Sequence, residues 1–547
     1  MDGLWTFMLI WGVWILLPIL VDGSDTLFRL FVVLIWGRKK TRPTVADAEL
    51  PFVSILVPAY NEEQVIDRCL NSIKLQDYPH DKMEVIVIND GSSDLTADKV
   101  LSHIDGREVG MRDLNQRDPK GLMSDGGEVR RAVPPGVYRS KDIVVDEESR
   151  RPKHDEALME GKYVDVPEFG GEMTLINNRH YGKPTALNSG ISQMNGSQII
   201  FTVDSDVVLD AGAVRNMVYA FLDDPKLGAA TGHIEISEDI VEERDELGNL
   251  VLDDEGHLIR KKMNFMQTAL TRLQFLEYLD AFRLGRQFQA TIGSAYILAG
   301  AFSAFRRSTL MKTELYKPRT VSEDFDLTVD IHETGEKVGY VAESKALLAP
   351  VINVNSLYSQ RVRWCRGQLE VAGAHQKVIG NRRYGMVGWF GFPQMLITDH
   401  TLSFPRLIWT ILIVMFPLFG YPVSTVTLAL LFTYAFYVVL SFMQTFAAYV
   451  IVDGETKRKT ERALGWCFAL PFYRLVVFYF RMSGYLRTLT EPAGWDIASK
   501  TLVNASANVD RLKDGAAGML RTFKRTAHAG AGIIRSVMML LLLFVRD

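Results

Sequence analysis

Two aspartates one residue apart, Asp204 and Asp206 flanking Ser205, follow a short β-branched run at residues 198–203 (QIIFTV). Carboxylates in this D-x-D spacing at a strand end can grip a hard divalent cation, Mg²⁺ or Mn²⁺, with a diphosphate completing the octahedron. Such an ion would neutralise charge on a departing nucleotide. The plainer reading of an isolated D-x-D is a solvated acidic turn. A second acidic group, Ser322-Glu323-Asp324, opens an amphipathic stretch. One carboxylate there can take the proton from an acceptor hydroxyl as its oxygen attacks an anomeric carbon. The same residues also read as a helix start, with Ser322 as cap and acids in the first turn. Both readings hold together.

Lys183, in His180-Tyr181-Gly182-Lys183, precedes a predicted helix over residues 184–194. It can place a positive charge beside a diphosphate at a helix N-terminus, or it is an ordinary surface lysine. The most specific element is Gln360-Arg361-Val362-Arg363-Trp364. Arginine pairs with pyrophosphate in a fork geometry. Tryptophan offers a flat apolar face to a sugar ring and one directional N–H. A charged interfacial helix with an anchoring tryptophan is the alternative.

Strands must position these groups. Residues 52–60 (FVSILVPAY) and 83–90 (MEVIVIND) are β-branched runs followed by helical stretches, including residues 62–75, so they read as the βαβ alternation of a parallel sheet. Pro58-Ala59-Tyr60-Asn61-Glu62 and Asn89-Asp90-Gly91-Ser92 come directly after those runs. Ligands bind beyond the carboxyl ends of strands in open α/β sheets, and an acidic side chain there can accept from a uracil or a ribose. Asn-Asp-Gly-Ser is equally a plain turn sequence. Residues 106–171 and 235–262 are hydrophilic and read as insertions, the second with a hairpin signal at residues 246–252.

The 547 residues carry a net charge of -4, so no global basic field points to nucleic acid. Cys69, Cys365 and Cys467 are far apart, and neither a disulfide framework nor a zinc site is expected. Apolar residues concentrate at the two ends. Residues 4–20 form one apolar run, Asp22-Gly23-Ser24-Asp25 interrupts it, and residues 27–36 form a shorter second run before Arg38-Lys39-Lys40. This reads as a retained anchor over residues 1–40, either one span plus an interfacial helix or two short tilted spans, with the following segment cytosolic. Residues 405–423, 425–452 and 464–480 are further span candidates, the last containing Arg474. Three such spans place the tail, residues 483–547, outside, although it carries Lys513, Lys524 and Arg525; the side of the tail stays open. Long continuous apolar runs exclude a transmembrane β-barrel, and the lack of internal repeats disfavours a repeat-built transporter.

Taken in order within one cytosolic segment, these five elements resemble the processive family 2 glycosyltransferases, the group of cellulose, hyaluronan and poly-N-acetylglucosamine synthases. The resemblance covers residues 50–370 apart from the insertions, together with the flanking membrane pattern. It implies a GT-A α/β domain facing the cytosol, interfacial helices over residues 371–404, and a small helical transmembrane bundle over residues 405–482. It further implies a UDP-sugar donor held by Ala59, Glu62, Asp90, Lys183, Asp204, Ser205, Asp206, Gln360 and Arg363. Asp204 and Asp206 would hold Mg²⁺ or Mn²⁺, and Asp324 would be the catalytic base. Trp364, Glu323 and the loop Gly300-Ala301-Phe302 would face the acceptor, a growing polysaccharide exported through the bundle past Tyr473 and Arg474. Asn89 stands where many members have an Asp, which leaves Asp90 as the uridine contact. Arg366-Gly367 and Glu370-Val371 are closer to the poly-N-acetylglucosamine and cellulose enzymes than to hyaluronan synthase. A plasma-membrane location, the lipid bilayer and accessory export subunits follow as expected surroundings. The rivals are a single-transfer enzyme acting on a lipid acceptor, a transporter with a nucleotide-sugar-sensing domain, and an inactive sensor.

Overall fold

The computed structural model describes residues 22–37, 45–105, 136–139, 169–237, 263–491 and 493–494. The expected strands appear at β1 (Val53–Ala59), β2 (Met83–Asp90) and β5 (Ile199–Val203). Every residue of the three is buried, as strands covered on both faces require. The other strands are β3 (Gly136–Arg139), β4 (Glu172–Asn178), β6 (Val207–Leu209), β7 (Leu227–Ile236), β8 (Phe302–Arg306) and β9 (Lys337–Leu348). They form one mixed sheet in the order β3-β4-β2-β1-β5-β8-β7-β9-β6. β4, β2, β1 and β5 run parallel, and β8 lies antiparallel to β5. The mixed α/β sheet agrees with the GT-A domain that the resemblance implies.

That change of direction places the site. β5 ends at Val203 exactly opposite Phe302, the first residue of β8, so Asp204 emerges beside the loop before β8, and its N–H donates to the Ala301 carbonyl at 3.0 Å. Helices α1 (Ile66–Lys74), α2 (Thr96–Asp105), α3 (Lys183–Ser192), α4 (Ala213–Asp223) and α5 (Phe265–Tyr278) follow in chain order. Then come α6 (Glu323–Glu333) and α7 (Val354–Ala374). Asn264 caps α5 in a reciprocal box with Gln267, and the Asn353 side chain caps α7 by accepting from Ser356 N–H.

The elements expected at the membrane depart from expectation in detail. Residues 22–36 are one helix, so the acidic interruption there is no break; Asp22 pairs with Arg406 and Asp25 with Arg29 instead. Residues 405–423 are not one straight span. Helix α8 (Ser403–Met415) stops before a 3-10 turn containing Pro417, and Gly420 takes a left-handed φ of 88°. Helix α9 (Val423–Ile451) is long and apolar enough to cross a membrane. The third candidate is split: Gly454–Phe468 and α10 (Leu470–Thr490) meet at 77° and qualify only as a bent pair. Residues 4–20, most of both insertions, the hairpin at 246–252 and the tail beyond residue 494 lie outside the described residues. Among the described residues the three cysteines are buried and free.

One piece of the first insertion belongs to the sheet: β3 pairs antiparallel with β4, Val137 opposite Ile176. Replacing residues 141–168 by a Gly-Ser linker of about six residues should therefore leave the melting temperature and donor binding unchanged, whereas Val137→Pro should lower the melting temperature by removing a ladder donor. A linker variant that fails to fold would make the rest of the insertion part of the core.

Candidate active site

The carboxyl ends of β1, β2, β4 and β5 converge on one corner of the sheet. Asn61, in the left-handed region with φ 56°, ties the first two loops together: its N–H donates to Ser92 Oγ at 2.9 Å, and its Oδ1 accepts from Ser93 N–H at 2.8 Å. Ala59 is the last residue of β1, opposite Asn89. Asp90 is only 3% exposed. Its carboxylate accepts from Tyr181 N–H at 2.9 Å and Gly182 N–H at 2.8 Å, and lies 2.8 Å from His180 Nδ1. Asp90 thus holds the loop that delivers Lys183. The parts of this corner open to a planar base are Tyr60 and His180, stacked with centroids 4.1 Å apart. Neither ring was singled out in the sequence, because their meeting depends on the β2–β4 register.

Lys183 begins α3 and reaches across to the D-x-D. Its Nζ lies 2.5 Å from Asp204 Oδ1 and 3.4 Å from Glu323 Oε1. Burial opposes the ammonium charge, but Asp204 and Glu323, with Asp324 behind them, outweigh it and hold Lys183 protonated. One lysine does not balance the site. Burial, then the charges of Asp206 and Asp204, push Glu62 up to about 7 against a hydrogen bond from Ser205. Burial and Asp204 push Asp206 up to about 6, while Lys183 and Arg363 pull it back. Three crowded carboxylates, Glu62, Asp204 and Asp206, thus share a charge excess that a hard divalent cation would relieve, so the donor set fits Mg²⁺ or Mn²⁺.

Asp324 stands at the start of α6. Its Oδ1 accepts from Phe325 N–H at 2.7 Å and Ser322 Oγ–H at 3.0 Å, and its Oδ2 accepts from Gly300 N–H at 2.8 Å. The Ser322 hydroxyl therefore serves Asp324 rather than capping the helix. With two donors on Oδ1 and one on Oδ2, one lone pair of Oδ2 remains for an incoming proton. Burial, then the charge of Glu323, raises the Asp324 pKa, and a raised value suits a base. Side chains would obstruct this setting: a Cβ on Gly300 would sit 3.0 Å from Asp324 Oδ2, and one on Gly367 of α7 would sit 2.6 Å from Ser322 Cβ. Ala301 supplies the carbonyl that receives Asp204 N–H. Phe302 is buried, stacked 6.2 Å from Phe201, and supports the loop from beneath.

Helix α7 brings the last element. Arg363 is exposed and lies within electrostatic reach of Asp206. Trp364 is 38% exposed. Gln360 Oε1 accepts from Arg361 at 3.1 Å. Of the two arginines, only Arg363 is free to meet a pyrophosphate; Arg361 is buried and paired with Glu277 at 2.5 Å. Tyr473 is buried and donates to Glu277 at 2.6 Å, and Arg474 donates to Gln444 at 2.6 Å, so both contact neighbouring helices. A second acidic group, Asp326, Asp330 and His375, is compact enough for an ion. Arg319 and Lys317 already pair with its aspartates at 2.7 and 2.8 Å, which makes it a structural ion-pair network.

Comparison with known proteins adds sequence relatives. The model for glycosyl transferase family 2 matches residues 54–123, and that for glycosyl transferase family group 2 matches residues 199–452. A poly-beta-1,6-N-acetyl-D-glucosamine synthase of Staphylococcus aureus is 23% identical over 330 residues, 60% of this chain and 58% of the relative. The Staphylococcus epidermidis protein of that name is 25% identical over 58% of this chain and 55% of its own length. The chain therefore spans less than two thirds of these relatives. Among solved structures, a mannosyltransferase from Pyrobaculum calidifontis in complex with GDP-Man and Mn²⁺ is 14% identical, with 88% of this chain and 99% of the other covered and a TM-score of 0.47. S. aureus TarS 1-349 in complex with UDP-GlcNAc is 12% identical, with coverage of 79% and 92% and a TM-score of 0.34.

The charge crowding is testable in the metal-free protein. Glu62, at about 7 when folded against an ordinary 4.5, retains a proton that the unfolded chain releases. The stability tied to that proton is present below pH 4.5, falls as pH rises, and is lost above 7. In a chelator, Glu62→Gln should match wild type near pH 4.5 and melt about 2 °C or more higher at pH 8. An equal or lower melting temperature at pH 8 would show that the three carboxylates do not repel one another.

Proposed function

The chain belongs to the family 2 glycosyltransferases, and on that premise we propose that it is a membrane-integrated, inverting polysaccharide synthase that uses a UDP-sugar. The observation that carries the reading is the grouping of Asp324, Lys183, Asp204 and Asp206, with Arg363 within electrostatic reach of Asp206 and Trp364 next to it on α7. UDP-N-acetylglucosamine is the first donor to test, since the relatives are named for an N-acetylglucosamine polymer. The uracil lies at the Tyr60–His180 corner, and the diphosphate lies between Lys183 and Arg363.

The free lone pair of Asp324 Oδ2 takes the proton of the acceptor hydroxyl. The acceptor oxygen forms its bond to the anomeric carbon as the bond from that carbon to the diphosphate oxygen breaks, with inversion. Asp204 and Asp206, with Glu62 adjacent, would hold Mg²⁺ or Mn²⁺, which supplies charge neutralisation at the diphosphate. Lys183 and Arg363 receive the charge that accumulates on the departing UDP. Trp364 gives the acceptor sugar a flat platform on which it can slide after each addition. A single-transfer enzyme has no need of that platform. Helix α9 and the bent pair ending in α10 provide the membrane attachment through which the product leaves.

Asp324→Asn should bind UDP like wild type and lose activity by about 10²–10⁴-fold; loss of UDP affinity or of folding instead would assign Asp324 to scaffolding. Trp364→Ala should retain UDP binding and lose polymer, since displacing a reactant by ~1 Å can cost ~10²-fold. Product of normal length from purified Trp364→Ala would remove the acceptor platform and with it the argument for processivity.

A further inference from the structure

Arg361 is 2% exposed, yet it is a cation three residues before Trp364 on the same face of α7. Its guanidinium lies 4.2 Å from the centroid of the Trp364 ring, within cation–π range. The same guanidinium is fixed from two other elements. Glu277 of α5 pairs with it at 2.5 Å, and the Tyr473 hydroxyl of α10 lies 3.1 Å from it. Tyr473 in turn donates to Glu277 at 2.6 Å, which closes a triangle of three side chains from three helices. Tyr278, next to Glu277, sets its ring 6.3 Å from Trp364 at 48°.

Helices α7 and α10 are in close register around this point. A Cβ on Gly484 would stand 2.9 Å from Cys365 Cβ, and Tyr358 packs edge-on against Phe480. The plane of Trp364 is therefore set by a cation whose own position is set by a membrane-side helix. Arg361 covers one face of the indole and Tyr278 packs beside it, while 38% of the residue stays exposed.

We propose that Arg361, Glu277 and Tyr473 form a positioning unit that presents one face of Trp364 to the acceptor and ties its orientation to α10. This rests on the reading of Trp364 as acceptor platform. The triangle touches neither donor nor reacting atoms, so its members are positioning residues. A shift of α10 against α7 would move the guanidinium and tilt the platform while Lys183, Asp204 and Asp206 stay in place. Arginine is required: a lysine ammonium can meet Glu277 or lie over the ring, but it lacks the planar fork that does both.

The test uses the full-length chain purified in detergent, with Mn²⁺ and UDP-N-acetylglucosamine, and compares wild type, Tyr473→Phe and Arg361→Lys. Tyr473→Phe removes one hydroxyl and keeps the packing, so it guards against loss of folding in the arginine variant. Both variants should keep the donor KM within about twofold. Polymer-forming turnover should fall by roughly tenfold, and a larger share of the donor should be consumed by water, giving free sugar. Wild-type polymer per UDP from both variants would overturn the proposal. So would a rise in donor KM together with a fall in turnover and melting temperature, which would make the triangle a structural clasp only. Absence of polymer from wild type itself would instead remove the acceptor-platform reading on which the proposal stands.

Discussion

Too many carboxylates face too few cations at one end of the sheet, and the rest of the site follows from that imbalance. Glu62, Asp204, Asp206, Glu323 and Asp324 come from three separate chain segments, and Lys183 stands among the last four of them. Glu323 is buried and Glu62, Asp204 and Asp324 are half-buried, and a charge withdrawn from water is tolerated only with a partner. Lys183 serves Asp204 and Glu323 directly. Asp324 is satisfied by two backbone N–H groups and a serine. What remains unbalanced lies at Glu62 and Asp206, where a divalent cation would add the positive charge that the corner lacks. The same imbalance favours a cation at the corner, and burial with the charge of Glu323 leaves Asp324 raised and ready to accept a proton.

Helix α7 connects this corner to α10. Its Gly367 allows close approach to Ser322 behind the base, its Arg363 looks toward the D-x-D, and its Arg361 and Cys365 pack on α10. A donor site and a product path have different mechanical needs. The first must be rigid, and the second must permit movement. Under the proposed function, one helix touching both, through different side chains, would let the acceptor platform be set from α10 while the donor pocket stays fixed on the sheet.

Much of this was legible in the chain. β1, β2 and β5 read directly because strands buried on both faces are continuous apolar runs, and the motif residues at their ends were placed by that fact alone. β7 and β9 were not legible. β7 (LGAATGHIEI) is rich in small residues, and its register with β9 shifts at two points, so no clean alternation forms. Pairwise meetings across the sheet were also hidden: Glu62 with Asp206, Tyr60 with His180, and Gly300 with Asp324 depend on register, which the local pattern does not encode. Arg361 and Arg363 look equivalent in sequence. Only the packing of α7 on α5 and α10 separates the buried clamp from the exposed ligand. The apolar run at residues 405–423 misled for the opposite reason, since Pro417 and Gly420 break a stretch that hydropathy alone joins.

The central claim is that this one chain both activates the donor and holds its own product. The most direct measurement gives purified wild-type protein radiolabelled UDP-N-acetylglucosamine with Mn²⁺ and follows UDP release together with the size of the labelled product. The account predicts long polymer even at low donor consumption, one UDP released per sugar incorporated, and loss of both signals in a chelator. Release of UDP with only free sugar or a single-sugar glycolipid as product would contradict it.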